Sequence, residues 1–205
     1  MKWAVLVGGR GSNLAALLDA GLDVGLVVSH RAEVGALDIA ARAGVPARVL
    51  LPRAGRGPLA YDRELASWLG EAHIDAVVAA GYLRILRAPV IDRYPGRILN
   101  VHPSLLPAFA GLHAIEQTLA HGVKVTGVTV HLVDAGLDSG PIVAQQAVAV
   151  APDDTPATLS ARLQVVEHRL LPAAAWALDQ GRLRVNGRHV IWTEPETHAR
   201  FDEGR

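Results

Sequence analysis

The sequence predicts an α/β protein: a mostly parallel twisted sheet with flanking helices, whose C-terminal half adds an antiparallel extension and a long helix. Three observations carry this reading. Short aliphatic runs alternate with helical patterns up to Asn100, two strand-like runs then follow one another directly, and a long apolar-periodic stretch extends from about Pro156 to Gln180.

Trp3 to Val7, Val24 to Ser29, Ala47 to Leu50, Ala76 to Ala80 and Ile98 to Val101 are β-branched or aliphatic runs, as expected of strands buried on both faces. Helical patterns separate them at Asn13 to Ala20, Ala36 to Ala43, Pro58 to Glu71 and Pro89 to Arg93. This alternation implies parallel strands with right-handed crossovers, and ligands in such architectures bind at the carboxyl ends of the strands. Gly8 to Asn13 and Asn100 to His102 occupy two such ends.

The later elements follow a different pattern. Val123 to Val133 and Ile142 to Val150 read as strands joined by Asp134-Ala135-Gly136-Leu137-Asp138-Ser139-Gly140-Pro141, too long a connection for a two-residue hairpin and long enough to line a site. The helix from Pro156 carries Leu159, Leu163, Val166, Leu170 and Leu171 on its apolar face, with a kink expected at Pro172 and a C-cap at Gly181. Leu183 to Trp192 reads as a hairpin turning at Asn186-Gly187. Residues 1–193 are expected to form a single domain and residues 194–205 a polar tail.

Composition bounds the function. With 205 residues and 50% hydrophobic content the chain can bury a sizeable core, and 20 basic against 20 acidic residues give no net field toward nucleic acid or an anionic membrane. Small molecules are the expected partners, with no nucleic acid and no membrane. Cysteine is absent, which excludes disulfides, thiolate metal sites and a cysteine nucleophile. No run approaches the roughly 18 apolar residues that span a bilayer, and no signal-peptide pattern opens the chain, so a cytoplasmic location is expected. A monomer or homodimer is compatible with these features.

Two motifs carry chemistry. Gly8-Gly9-Arg10-Gly11-Ser12-Asn13-Leu14 follows the first strand and opens a helix, so backbone N–H groups, the helix dipole and the Ser12 hydroxyl converge on a place for a phosphate. It is not a dinucleotide fingerprint, because Leu14 takes the final glycine position and Ser29-His30, without an acidic residue, ends the second strand. Asn100-Val101-His102-Pro103-Ser104-Leu105-Leu106-Pro107 and Leu137-Asp138-Ser139-Gly140-Pro141 together supply an amide, an imidazole and a carboxylate, sufficient for acyl transfer. On its own His102 reads as a loop histidine bonded to backbone. His102, His131 and Asp138 also offer two nitrogens and an oxygen for a metal, but no short ligand spacing such as His-Glu-x-x-His accompanies them, and no metal is expected. Ser104 lacks a nucleophile elbow and is read as structural.

These blocks, with Tyr61-Asp62-Arg63-Glu64-Leu65, Gly81-Tyr82-Leu83-Arg84-Ile85-Leu86, Gly111-Leu112-His113, Val130-His131 and Gln164-Val165-Val166-Glu167-His168, resemble the folate-dependent formyltransferases over nearly the whole chain. The resemblance implies a Rossmann-like formyltransferase fold and transfer of a formyl group from 10-formyltetrahydrofolate, the co-substrate, to the amine of 5-phosphoribosylglycinamide in purine biosynthesis. It implies Asn100, His102 and Asp138 as catalytic residues, and Gly11, Ser12 and Asn13 with Gln164, Val165, Val166 and Glu167 at the nucleotide substrate. It places Leu83, Arg84, Ile85, Leu86, Asn100, Asp134, Ala135, Gly136, Leu137 and Asp138 around the folate. Residues 1–99 then form a nucleotide- and phosphate-binding half and residues 100–193 a catalytic and folate half.

Other expectations follow from the same resemblance. A carboxylate beside His102 favours its charged form. His113 and His131 read as packing or supporting residues, and Glu167, taken alone, as a solvated helix residue. Where the family often carries an arginine for the folate glutamate tail, this chain has Pro58, with Arg53 or Arg56 as substitutes. Chain length points away from the tRNA and sugar-nucleotide formyltransferases, which carry a further C-terminal domain. Hydrolysis of 10-formyltetrahydrofolate is the alternative within the family, with Ala108-Phe109-Ala110 a mild echo of that pattern, and another amine acceptor or a silent binding protein are the remaining readings.

Overall fold

The structure, a computed structural model, describes residues 1–55 and 57–193. The expected tail at 194–205 and Arg56 lie outside the described residues. Five strands alternate with four helices in the first half: β1 (Trp3–Val7), α1 (Ser12–Asp19), β2 (Val24–Ser29), α2 (Gly35–Arg42), β3 (Ala47–Val49), α3 (Pro58–Glu71), β4 (Ala76–Ala80), α4 (Ala88–Ile91) and β5 (Ile98–His102). There follow α5 (Ala114–Ala120), β6 (Val125–Leu132), β7 (Ile142–Ala149), α6 (Pro156–Asp179), β8 (Leu183–Asn186) and β9 (His189–Trp192).

One sheet runs through the molecule in the order β3-β2-β1-β4-β5-β6-β7-β9-β8. Its first five strands are parallel, and β6 and β7 extend it antiparallel, as the change of pattern after Asn100 predicts. Alternation along each strand divides the core between the two faces. Trp3, Val5 and Val7 face α1, α2 and α6, whereas Ala4 and Leu6 face α3 and α4. Each large buried side chain contributes about 1.5 to 3 kcal/mol over its exposed state, so both layers help to hold the sheet against its helices.

The sequence reading differs at particular places. β3 is exposed along its length rather than buried on both faces, because it is the sheet edge; only Leu50, just beyond it, is buried. The helix α5 carries no apolar stripe long enough to announce itself, burying only Ala114 and Thr118. The long helix α6 is present as expected, with Pro172 inside it and its N-terminus closed by a reciprocal Thr155–Thr158 capping box.

The sheet order reverses direction between β1 and β4, which opens a crevice at their carboxyl ends. Gly8 leaves β1 there, and a Cβ at Gly8 would lie 1.9 Å from His30 Cε1 and 2.9 Å from the Gly81 carbonyl that follows β4. Only glycine lets these two strand exits come so close.

Candidate active site

A cavity of about 980 Å³ occupies this crevice and reaches from the Gly8–Asn13 loop, past β5, to the loops after β4 and β6. At one end Gly11 caps α1 in the left-handed conformation with φ 85°. A Cβ there would press within 2.6 Å of Ala36 Cα, so this turn also requires glycine. No side chain caps α1, which leaves its first N–H groups directed at the cavity. Asn13 Nδ2 donates to Glu167 Oε2 at 2.8 Å, tying α1 to α6, while Asn13 Oδ1 is buried without a partner among the described residues.

On α6 the helical period selects what reaches this end. Ser160, Gln164 and Glu167, spaced by four and three positions, line the cavity. Val165 is 71% exposed and Val166 packs in the core, so neither side chain joins them. Ser160 was absent from the expected set, although the spacing from Gln164 and Glu167 would have found it.

At the centre, the period of two in β5 puts Asn100 and His102 on one face, opposite Leu99 and Val101. The antiparallel register places His131 of β6 directly across from Asn100. Asn100 Nδ2 lies 3.0 Å from His131 Nε2 and donates more weakly to Asp138 Oδ1 at 3.4 Å. His131 Nδ1 meets the Leu132 carbonyl at 2.9 Å, and a carbonyl only accepts, so Nδ1 carries the proton. The Asn100 amide thus stands between His131 Nε2 and the Asp138 carboxyl, which together orient it.

His102 is buried and held from both sides. Its Nε2 donates to the Phe109 carbonyl at 2.8 Å and its Nδ1 lies 3.4 Å from Asp138 Oδ2. A second proton on Nδ1 would therefore be met by a carboxylate, an arrangement suited to an imidazolium. Asp138 adopts φ 47° and accepts from the Gly111 amide at 2.8 Å. His131 holds the Asp138 carboxyl below the usual carboxylate range; burial opposes this, and the Gly111 amide and the charge of His102 reinforce it. The Asp138 loop is braced by Asp134, which accepts from the Gly136 amide at 3.0 Å and the Ser139 hydroxyl at 2.7 Å.

Toward the other end the cavity is walled by Leu83, Arg84, Ile85 and Leu86 after β4 and by Asp134, Gly136 and Leu137 after β6. Ala135, expected among them, does not line it. Leu83, Ile85, Leu112 and Leu137 expose 50 to 59% of their surface here, giving an apolar mouth around polar loop backbone. Arg53 does not reach the cavity, whereas Arg84 and Arg87 do. Sequence reasoning missed the Phe109 carbonyl and the Gly111 amide, which are backbone groups and carry no residue signature.

The model of the family described as formyl transferase matches residues 1–175. The chain belongs to the formyl transferase family. Among its members, the phosphoribosylglycinamide formyltransferase of Mycobacterium tuberculosis is 46% identical over 195 residues, covering 91% of this chain and 89% of that protein. The human trifunctional purine biosynthetic protein adenosine-3 is 42% identical over 201 residues, 94% of this chain, and the chain spans only 20% of its length. A solved glycinamide ribonucleotide transformylase 1 from Symbiobacterium toebii superposes with a TM-score of 0.92 at 44% identity, covering 95% of this chain and 94% of that one. A formyltetrahydrofolate deformylase from Pseudomonas syringae is more distant, at 27% identity and a TM-score of 0.84, and the match covers 66% of it. This family assignment agrees with the mixed sheet, its antiparallel extension and the long α6.

Proposed function

We propose that the chain transfers the formyl group of 10-formyltetrahydrofolate to the amine of 5-phosphoribosylglycinamide, a step of purine biosynthesis carried out in the cytoplasm. The observation that carries the reading is the meeting of Asn100, His102 and Asp138 midway along a cavity, with a phosphate-type loop at one end and an apolar mouth at the other. Its volume, about 980 Å³, is at the upper end of the range for small-molecule sites and suits two substrates side by side. The described residues include no helix long and apolar enough to cross a membrane.

In this scheme Gly11, Ser12 and Asn13 hold the ribosyl phosphate through the open N-terminus of α1, and Gln164 and Glu167 complete the nucleotide site. Val165 and Val166 are left out because their side chains lie elsewhere. Leu83 to Leu86, with Asp134, Gly136 and Leu137, receive the folate heterocycle between apolar walls. The uncharged amine attacks the formyl carbon, and the carbonyl oxygen becomes anionic. The more weakly held N–H of Asn100 donates to that oxygen, and the imidazolium charge of His102, held between Asp138 and the Phe109 carbonyl, stabilises it from alongside. Collapse of the intermediate breaks the bond from the formyl carbon to the folate nitrogen, which takes up a proton equivalent to the one the amine loses. Asp138 holds the imidazolium and relays that proton. The nucleophile is an amine, so the scheme assigns no step to a metal-bound water.

The test is the formation of tetrahydrofolate from 10-formyltetrahydrofolate, followed with and without phosphoribosylglycinamide. Turnover that depends strictly on the acceptor is expected. Equal turnover without it, releasing formate, would move the protein to the hydrolases, and a preference for another amine would revise the acceptor alone.

A further inference from the structure

Asp62 lies on α3, outside the proposed chemistry, yet only 1% of its surface is exposed. A carboxylate so buried costs several kcal/mol unless something nearby offsets its charge. Arg87 Nη1 lies 3.6 Å from Asp62 Oδ2, and that oxygen has no hydrogen-bond partner among the described residues. Burial pushes the Asp62 carboxyl above its ordinary range, with Arg87 and then Arg84 opposing. The side chain and the backbone of Arg87 are thus the groups that face the buried carboxyl.

Arg87 and Arg84 both belong to the segment after β4 that walls the apolar end of the cavity. Arg87 Nη1 donates to the Ile85 carbonyl of the same segment at 2.9 Å. The guanidinium of Arg84 lies 4.0 Å from the centre of the Tyr61 ring, the residue before Asp62. Tyr61 is itself fixed, donating to the Leu50 carbonyl at 2.8 Å and meeting the Tyr82 hydroxyl at 3.0 Å. Adjacent residues of one rigid helix therefore grip both arginines of a segment that has no regular secondary structure of its own between Gly81 and Arg87.

We propose that Asp62 is a positioning residue: through Arg87 it sets the shape of the segment from Leu83 to Arg87 and thereby the affinity for the folate co-substrate, without touching the reacting atoms. This rests on the functional reading above. Removing the charge while keeping the shape frees Arg87, and a wall displaced by a fraction of an ångström weakens a preorganised pocket more than it slows chemistry elsewhere.

The experiment compares wild type and Asp62→Asn by steady-state kinetics in each substrate and by calorimetric titration with tetrahydrofolate. The KM for 10-formyltetrahydrofolate and the Kd for tetrahydrofolate should rise on the order of tenfold, with kcat and the acceptor KM changed less than about twofold. Arg87→Gln, made from the exposed end of the pair, should weaken folate alike, and the double variant should be no worse than either single one. This second route reads the pair even if Asp62→Asn folds poorly. Unchanged folate affinity in an active Asp62→Asn, or a parallel fall of kcat, both affinities and thermal stability, would overturn the proposal. Absence of wild-type turnover would instead contradict the functional reading.

Discussion

Asn100→Ala is expected to lower kcat by about a hundredfold to a thousandfold, the usual cost of losing one donor to a developing oxyanion. Asn100 is half-buried on β5, and its amide, held by His131 at 3.0 Å, is directed before any substrate arrives. Such preorganisation is what makes a single amide worth so much, because nothing need be reoriented in the transition state. The fold should survive, since the core residues flanking it, Leu99 and Val101, face the other way. Steady-state kinetics with circular dichroism checks both points. Turnover within a few-fold of wild type would remove Asn100 from the mechanism.

Asp138→Asn is expected to lose at least about a hundredfold in turnover at neutral pH, because His102 then lacks the negative charge beside its Nδ1. The same substitution has a signature in stability. The folded carboxyl lies below its ordinary value of 3.8, so its stabilising contribution is complete above that value and is lost as pH falls through the lowered one. Wild type should therefore be the more stable at neutral pH, and the two unfolding curves should converge as the pH drops below 3.8. A gap that stays constant into acid would mean that Asp138 is not held as an ionised partner of the histidines.

Much of the fold was legible because burial imposes period and composition together. β1, β2 and β4 are predominantly apolar and begin and end where their runs do. The short β3 shares their alanine and valine but carries Arg48 at its centre, and its edge position is a property of strand order, which no local pattern carries. The helix α5 opens from His113 in a left-handed conformation and buries little, so neither cap nor stripe marks it.

The site divides in the same way. Asn100, His102 and Asp138 stood out as residue types in recognisable blocks, and they do meet. The role of His131 as the partner that directs Asn100 depends on the β5–β6 register, which pairs residues far apart in sequence. Grouping Gln164 to Glu167 as one contiguous site overlooked the turn of the helix, which exposes Val165, buries Val166 and brings Ser160 in. The hold on His102 by the Phe109 carbonyl belongs to the backbone and could be seen only in three dimensions.

In the proposed reaction a formyl group passes directly between two bound small molecules, with the charge of His102 beside the reacting oxygen. This transfer is tested most directly by following the isotope-labelled formyl carbon of 10-formyltetrahydrofolate by NMR, with phosphoribosylglycinamide present, for wild type and His102→Ala. With wild type the label is expected to move into the formamide of the acceptor, and with the variant to stay on folate. Label appearing as free formate, or transfer of similar rate in the variant, would contradict it.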